Sequence, residues 1–284
     1  MLKKILWVIL FCFFGTLVIN AKENQKDYIR EYSDTWMIRL FSQAPFLQFV
    51  IDYKNYDSIS DDDRTIRYVP NTLFNLGLSV SYNNIGISLS TKTPNEKYDK
   101  ETYGETDYFD LQIYYYLQKF GFDIFYQTYK GYYLWNSDKF GMSQGSSRTI
   151  RPDLSMKNIG LNAYYVFSDI FSFSAAFTQS VKQLKSAGSF LLMGSIHFFS
   201  VDSDSSLIPP NQESFHQSYA GFKKGKYYSA GVLPGAAYTF VYKSFFITGS
   251  IFLGTGVIIE NYTVNEGEKS KVEMLIKANV RLSL

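Results

Sequence analysis

Between Thr106 and Tyr129 the residue character changes at every second position, and this period of two constrains the fold more than any other feature of the chain. Phe109, Leu111, Ile113, Tyr115 and Leu117 fall on one phase, and Phe120, Phe122, Ile124 and Tyr126 continue it beyond Gln118-Lys119. The opposite phase carries Asp110, Gln112, Tyr114 and Tyr116, then Gly121, Asp123, Phe125 and Gln127. Successive side chains of a strand point to opposite sides, so the stretch predicts a β-hairpin with one apolar and one mostly polar face.

The same phase recurs along the chain. Trp36, Ile38 and Leu40 open a first strand, and Leu47, Phe49, Ile51 and Tyr53 carry the apolar phase after Pro45. Proline cannot donate to a ladder, so Pro45 predicts a bulge, with two short strands as the competing reading. Strands are predicted at about 68–82 and 85–92, joined by Asn83-Asn84, because Asn tolerates the positive φ of a two-residue hairpin turn. Ile159 to Phe167 alternates and predicts a hairpin with Phe171, Phe173, Ala175 and Phe177, turning at Ser168-Asp169. Further strands are expected over 190–198, weakly over 214–222, and over 227–242 and 245–257, the last two joined at Lys243-Ser244. The final strand, 272–284, places Val272, Met274, Ile276, Ala278, Val280 and Leu282 opposite Glu273, Lys277, Asn279 and Arg281. About twelve strands result, with ten as the alternative. Short links fall on one end and long ones on the other, with the 202–212 link as the exception.

Apolar residues facing outward around a closed antiparallel sheet describe a transmembrane β-barrel. Aromatic residues make up 18% of the chain, and they crowd the ends of the alternating segments as an interfacial girdle would. A soluble barrel or sandwich is the rival fold, but the apolar face is too aromatic for a small barrel's interior. Residues 1–21 read as a secretory signal peptide: Lys3-Lys4, an apolar run to Ile19, and Ala21 at the expected cut site. The single cysteine, Cys12, lies in that leader, so disulfides and thiol-metal motifs drop out of the remaining 22–284 domain. A formal net charge of +2 is too small to suggest nucleic acid.

Six charges lie on the inward phase: Arg39, Asp110, Asp123, Glu273, Lys277 and Arg281. First and last strands become neighbours on closure, so Arg39, Lys277 and Arg281 could form one basic patch that selects small anionic solutes. An internal ion-pair and hydrogen-bond network is the competing account. His197 lies inward beside Ser195, without a nucleophile motif, and reads as a lumen histidine rather than a catalytic base. His216 falls in the weak strand, and the two histidines have no metal-ligand spacing. Asp61 to Asp63 lack the periodic carboxylates of a calcium loop. Lys130, Tyr132, Tyr133, Arg151 and Asp153 flank the longest loop and are candidates for a binding mouth. Lys182 and Lys185 are candidates for lipopolysaccharide phosphate. No cofactor or metal site is indicated.

Several segments together resemble a known group of bacterial sequences. They are Tyr68-Val-Pro-Asn, Asn75-Leu-Gly, Tyr129-Lys-Gly-Tyr-Tyr133, Ile150-Arg-Pro-Asp153, Gly160-Leu-Asn-Ala-Tyr-Tyr-Val-Phe, Lys185-Ser-Ala-Gly-Ser-Phe-Leu and Leu233-Pro-Gly-Ala-Ala-Tyr-Thr-Phe. The chain resembles the domain-of-unknown-function family numbered 4421 over nearly all of residues 22–284. The resemblance implies an outer-membrane barrel of a Gram-negative envelope, in contact with outer-membrane lipids, and brings no activity or catalytic residue. The functional expectations are therefore a narrow pore or small-solute transporter, a structural or surface-interaction barrel with a plugged lumen, or, least favoured, a lipid-modifying enzyme.

Overall fold

Alternation of this kind produces one large antiparallel sheet. The computed structural model of the chain describes residues 25–32, 35–43, 47–52, 64–72, 75–92, 98–142, 148–178 and 180–283. Its strands are β1 (Ile29–Glu31), β2 (Trp36–Gln43), β3 (Phe49–Ile51), β4 (Ile66–Val69), β5 (Asn75–Tyr82), β6 (Ile85–Lys92) and β7 (Asp107–Tyr116). Next in the chain come β8 (Phe120–Leu134), β9 (Ile150–Val166), β10 (Val181–Gln183), β11 (Ala187–Asp202), β12 (Lys224–Tyr242), β13 (Phe245–Val264) and β14 (Gly267–Ser283). Among the described residues three α-helical turns accompany them: α1 (Gln25–Tyr28), α2 (Lys100–Tyr103) and α3 (Phe173–Phe177). Among the described residues no helix is long and apolar enough to cross a membrane, which says nothing about strands.

Twelve strands share the sheet. Ten form one ladder in the order β2-β5-β6-β7-β8-β9-β11-β12-β13-β14, while β4 joins the far end of β8 and β3 joins β4. Among the described residues no ladder joins β14 to β2. The sheet is nonetheless rolled. β14 and β8 lie five ladder steps apart, about 24 Å if the sheet were flat. Yet Arg281 of β14 forms an ion pair with Asp123 of β8. Only a sheet curled on itself brings these side chains together. The two outer strands also reach the same helical turn: Arg39 Nη1 of β2 donates to the Phe177 carbonyl oxygen (3.2 Å), and Ser283 Oγ of β14 to that of Ala176 (2.5 Å).

The predicted faces of the β7–β8 hairpin hold. Phe109, Ile113, Phe122 and Ile124 are exposed on the convex side, while Asp110, Tyr114, Tyr116 and Asp123 are buried on the concave side. Convex apolar residues of β2 and β14 are among the most open, Leu40 at 83% and Met274 at 80%, because each strand has no ladder partner on one flank among the described residues. Room for the inward aromatics comes from the strand opposite. Gly121 pairs with Tyr116, Gly86 with Tyr114 and Gly160 with Phe125, and each ring lies over the glycine where a Cβ would stand.

Turn chemistry agrees with the sequence at Asn83, whose φ is 52°, and at Lys243, with φ 56°. Gly131 makes a bulge between Lys130 and Tyr132 with φ 90°, and a Cβ there would strike the Glu105 carbonyl oxygen. Past the bulge β8 keeps its pairing with β9 and takes β4 as its other neighbour, through Tyr133 and Leu134.

Several predicted strands are corrected. Residues 171–177 are no strand: Ser172 accepts from the Ala175 amide (3.2 Å) as an N-cap, and α3 begins there. Phe171 through Ala176 are all buried, on both phases, because the segment lies inside the roll rather than in its wall. Residues 214–222 form turns around a 3₁₀ helix at Gln217–Tyr219, not a strand. The stretch 68–82 splits into β4 and β5, which have different partners. β2 and β3 likewise diverge, and Pro45, Tyr53 and the 61–63 acidic run lie outside the described residues, as do residues 1–21. Without a wall strand at 171–177, β11 starts from the short-link end instead of the long-loop end. The 203–223 link then falls on the long-loop end, and the 167–186 link takes its place as the long exception at the short-link end, while a two-residue turn at 265–266 joins β13 to β14 at the long-loop end. The short-link end now holds the turns at Asn83, Gln118 and Lys243, the 167–186 link, and the outer ends of β2 and β14.

Candidate functional site: the filled interior of the roll

The concave side carries three layers. At the short-link end, Phe171, Phe173, Val166, Leu191, Met193 and Phe252 lie in an apolar cluster with Tyr116 and Tyr164. The 170–183 segment that supplies its centre is tied at both ends. Gln183 Nε2 donates to the Ile170 carbonyl (2.7 Å) while its Oε1 accepts from the Ser172 amide (3.0 Å). Beyond it, β10 pairs with β1, which anchors the amino-terminal segment to the same plug.

Directly against this plug sits the ion pair. Asp123 accepts from Arg281 and from the Tyr116 hydroxyl, and from the Tyr164 hydroxyl at 2.6 Å. The Arg281 guanidinium also lies 5.3 Å from the Tyr164 ring centre, 5.4 Å from Phe177 and 5.9 Å from Phe173. A buried carboxylate with a cation and two hydroxyl donors has its charge answered on every side, which is the condition under which a buried pair is tolerated. Four elements of the roll are thereby cross-linked through its axis: β7, β8, β9 and β14.

The second layer is polar. Asp110 accepts from Gln112 Nε2 (3.2 Å) and Gln127 Nε2 (3.0 Å), and Asn158 Nδ2 donates to Gln127 Oε1 (2.9 Å). Lys277 Nζ donates to Ser195 Oγ (3.0 Å) and Ser229 Oγ (3.2 Å). His197 Nε2 lies 3.1 Å from Asn162 Oδ1, with its ring edge-on to Phe125. The histidine is thus engaged by an amide, and its sequence neighbour Ser195 by a lysine.

The expected basic patch is not formed. Arg39 and Arg281 do converge, on Phe177, but Arg281 is neutralised by Asp123 and Lys277 reaches across β12 to β11. Glu273, also expected to line the lumen, is half exposed near the long-loop end and pairs with Lys271. The partners of Asp123 were missed in the sequence. A signal exists: the turn at Gln118 sets Asp123 opposite Tyr114 and diagonal to Tyr116, with Gly121 making room for the Tyr116 ring.

A family model for a domain of unknown function, DUF4421, matches residues 23–284. The chain belongs to this family. No curated protein and no solved structure matches it. Three of the segments that carry the family resemblance meet at the long-loop end, in the third layer. Tyr68 and Val69 pair with Leu134 and Tyr133, and Tyr132 pairs with Arg151. Asn71 Nδ2 donates to the carbonyls of Tyr98 (3.0 Å) and Gly104 (2.8 Å), and its amide to Thr106 Oγ1 (2.8 Å), which in turn donates to the Gly131 carbonyl (2.6 Å).

Arg151 and Asp153 act here as a staple. Arg151 Nε and Nη2 grip the two oxygens of Asp153 (2.9 and 2.8 Å), and Nη1 and Nη2 donate to the carbonyls of Ser206 and Ser205 (2.8 and 2.9 Å). Asp153 also accepts from the Asp204 amide (3.0 Å). Hydrogen bonds from Arg151 hold the Asp153 carboxyl at about 2, and burial pushes the Tyr68 hydroxyl up to about 12. The staple fixes the 203–222 link so that Leu207, Ile208 and Phe222 pack with Tyr68, Tyr129 and Tyr132 over the end of the roll. His216, buried in the same link, has Nε2 2.9 Å from the Arg64 carbonyl oxygen. The mouth candidates are therefore mostly interior: Tyr132 and Tyr133 are fully buried, Arg151 and Asp153 are engaged with the link, and Lys130 faces the convex side. Lys182 and Lys185 lie at the short-link end, opposite the expected lipopolysaccharide side.

Proposed function

We propose that the chain is an outer-membrane β-barrel with a plugged interior, serving a structural or surface-interaction role rather than solute passage or catalysis. The observation that carries this reading is the filled axis: the Asp123–Arg281 pair and the α3 plug at one end, and the stapled 203–222 link at the other. A barrel of this strand number is narrow compared with open porins, and a side-chain bridge across it obstructs the axis at that level.

The membrane part of the reading rests on the convex face. On β14 the apolar phase runs from Val272 to Leu282, ten steps of about 3.3 Å, which at a tilt of 35–45° makes a band about 25 Å tall. Charged residues border the band at the long-loop end, including Asp107, Lys130, Lys157, Asp202 and Lys224. At the short-link end it finishes in aromatic residues, among them Trp36, Tyr115, Phe120, Phe167, Tyr242 and Phe245. Closure of β2 on β14 belongs to this reading, because open sheet edges do not persist in hydrocarbon. So does export through the leader at 1–21, with both barrel ends on the periplasmic side.

Reconstitution tests the reading directly. The protein should resist alkaline extraction from vesicles and migrate faster unheated than heated on a denaturing gel. In planar bilayers it should leave the conductance at baseline, and stable single-channel steps from the intact chain would return the pore to first place.

A further inference from the structure

Where the plug meets the wall at the short-link end, two clefts flank the β12–β13 turn and share Ser244, Phe245 and Phe246. The convex one, about 340 Å³, is lined by Phe240, Tyr242, Phe245 and Ile247 and is almost wholly apolar. The other, about 200 Å³, runs between the turn and the plug and is lined by Lys182, Lys243, Tyr32 and Val181. Lys243 Nζ sits 5.4 Å above the Tyr242 ring, at the junction of the two clefts.

Charge at this end is one-sided. Its described loops and turns carry six cations (Lys26, Arg30, Lys119, Lys182, Lys185 and Lys243) against three carboxylates (Asp27, Glu31 and Asp169). Lys119 is already matched by Asp169 at 2.6 Å. Register places Arg30 beside Lys182, on the β1–β10 pair whose β10 residues line the inner cleft.

We propose that the paired clefts hold one anionic glycerophospholipid. Its phosphate lies between Lys182 and Lys243, and an acyl chain runs along the convex groove past Phe245 and Tyr242. The inference rests on the membrane reading, which sets this end in the phospholipid leaflet of the outer membrane. The chemistry fits that occupant: a basic pocket recognises the headgroup, and an adjoining apolar groove at interfacial depth takes the chain. A free anion would gain nothing from the groove, and an uncharged lipid nothing from the lysines.

The test uses the full chain in vesicles, with lipids retained by the protein read by native mass spectrometry. The wild type should keep phosphatidylglycerol in preference to phosphatidylcholine. Lys182→Gln and Lys243→Asn should each weaken that retention about fivefold, the asparagine being chosen because it accepts the positive φ at position 243. Phe245→Ser should weaken it with the charges intact. Lys157→Gln, at the other end, should leave it unchanged. Equal retention by the double lysine variant, or full competition by inorganic phosphate, overturns the proposal. Vesicle insertion and heat-modifiable migration are scored first on every variant. Inserted, folded protein without lipid preference sinks this site alone, whereas failure of the wild type to insert removes the membrane reading beneath it.

Discussion

At the scale of single residues, the most exacting position is Asp123. It takes one guanidinium and two phenol hydroxyls in a space closed by Phe173 and Phe177. Asp123→Ala or Arg281→Ala leaves the other charge buried alone and should destabilise the fold by about 3–5 kcal/mol. Asp123→Leu combined with Arg281→Met should recover much of that loss, since apolar replacement of a whole buried pair is often neutral. Urea unfolding in vesicles, monitored by tryptophan fluorescence, measures both. Asp153 gives a pH-dependent counterpart outside the apolar band. Its folded value of about 2 lies below the ordinary 3.9 or so of an unfolded aspartate. The staple's contribution is therefore complete above that ordinary value and is lost as pH falls toward 2. The urea midpoint should drop over that window in the wild type and much less in Asp153→Asn.

At the scale of elements, the 170–183 segment shows why alternation alone misleads. Its Phe-Ser-Phe-Ser run has the period of a strand, yet Ser172 caps a helical turn and Gln183 closes the segment on itself. Phe173 makes ring contacts with Tyr116, Tyr164 and Phe177 at 5.2, 5.0 and 4.7 Å. Phe173→Ala should cost about 3–5 kcal/mol through the cavity left behind. Replacing Phe171 and Phe173 together with serine should also produce measurable ion conductance in bilayers, where the wild type gives none. An unaltered baseline in that variant would mean that the polar layer alone closes the axis. The same segment hydrogen-bonds to both outer strands through Phe177 and Ala176, so the plug also holds the roll's margins near each other.

At the scale of the whole molecule, the proposed membrane location rests on the convex surface. A charge placed in the middle of the band should obstruct insertion, and Ile124→Arg, on a half-exposed convex site, should cost about 2–4 kcal/mol in the membrane-inserted form. In detergent-free buffer the same change should lessen aggregation, a pair of effects that a soluble sandwich with a buried apolar face would not give. The fraction folded into vesicles against urea concentration reads the first, and sedimentation the second.

Much of this architecture was written in the sequence, because strand alternation is local. Phe109 through Tyr126 declare their faces by spacing, Asn83 declares its turn by tolerating positive φ, and Asp110 and Asp123 declare that the second face is enclosed. Tertiary structure alone decided which charges meet, which alternating segment leaves the wall, and what stops the ends. Arg281 and Asp123 are 158 residues apart and become partners only because the five ladder steps between their strands are curled on themselves. Arg151 reads as a mouth residue until the 203–222 link folds back beneath it. Alternation records the side on which a residue points. The curvature of the sheet decides what it finds there.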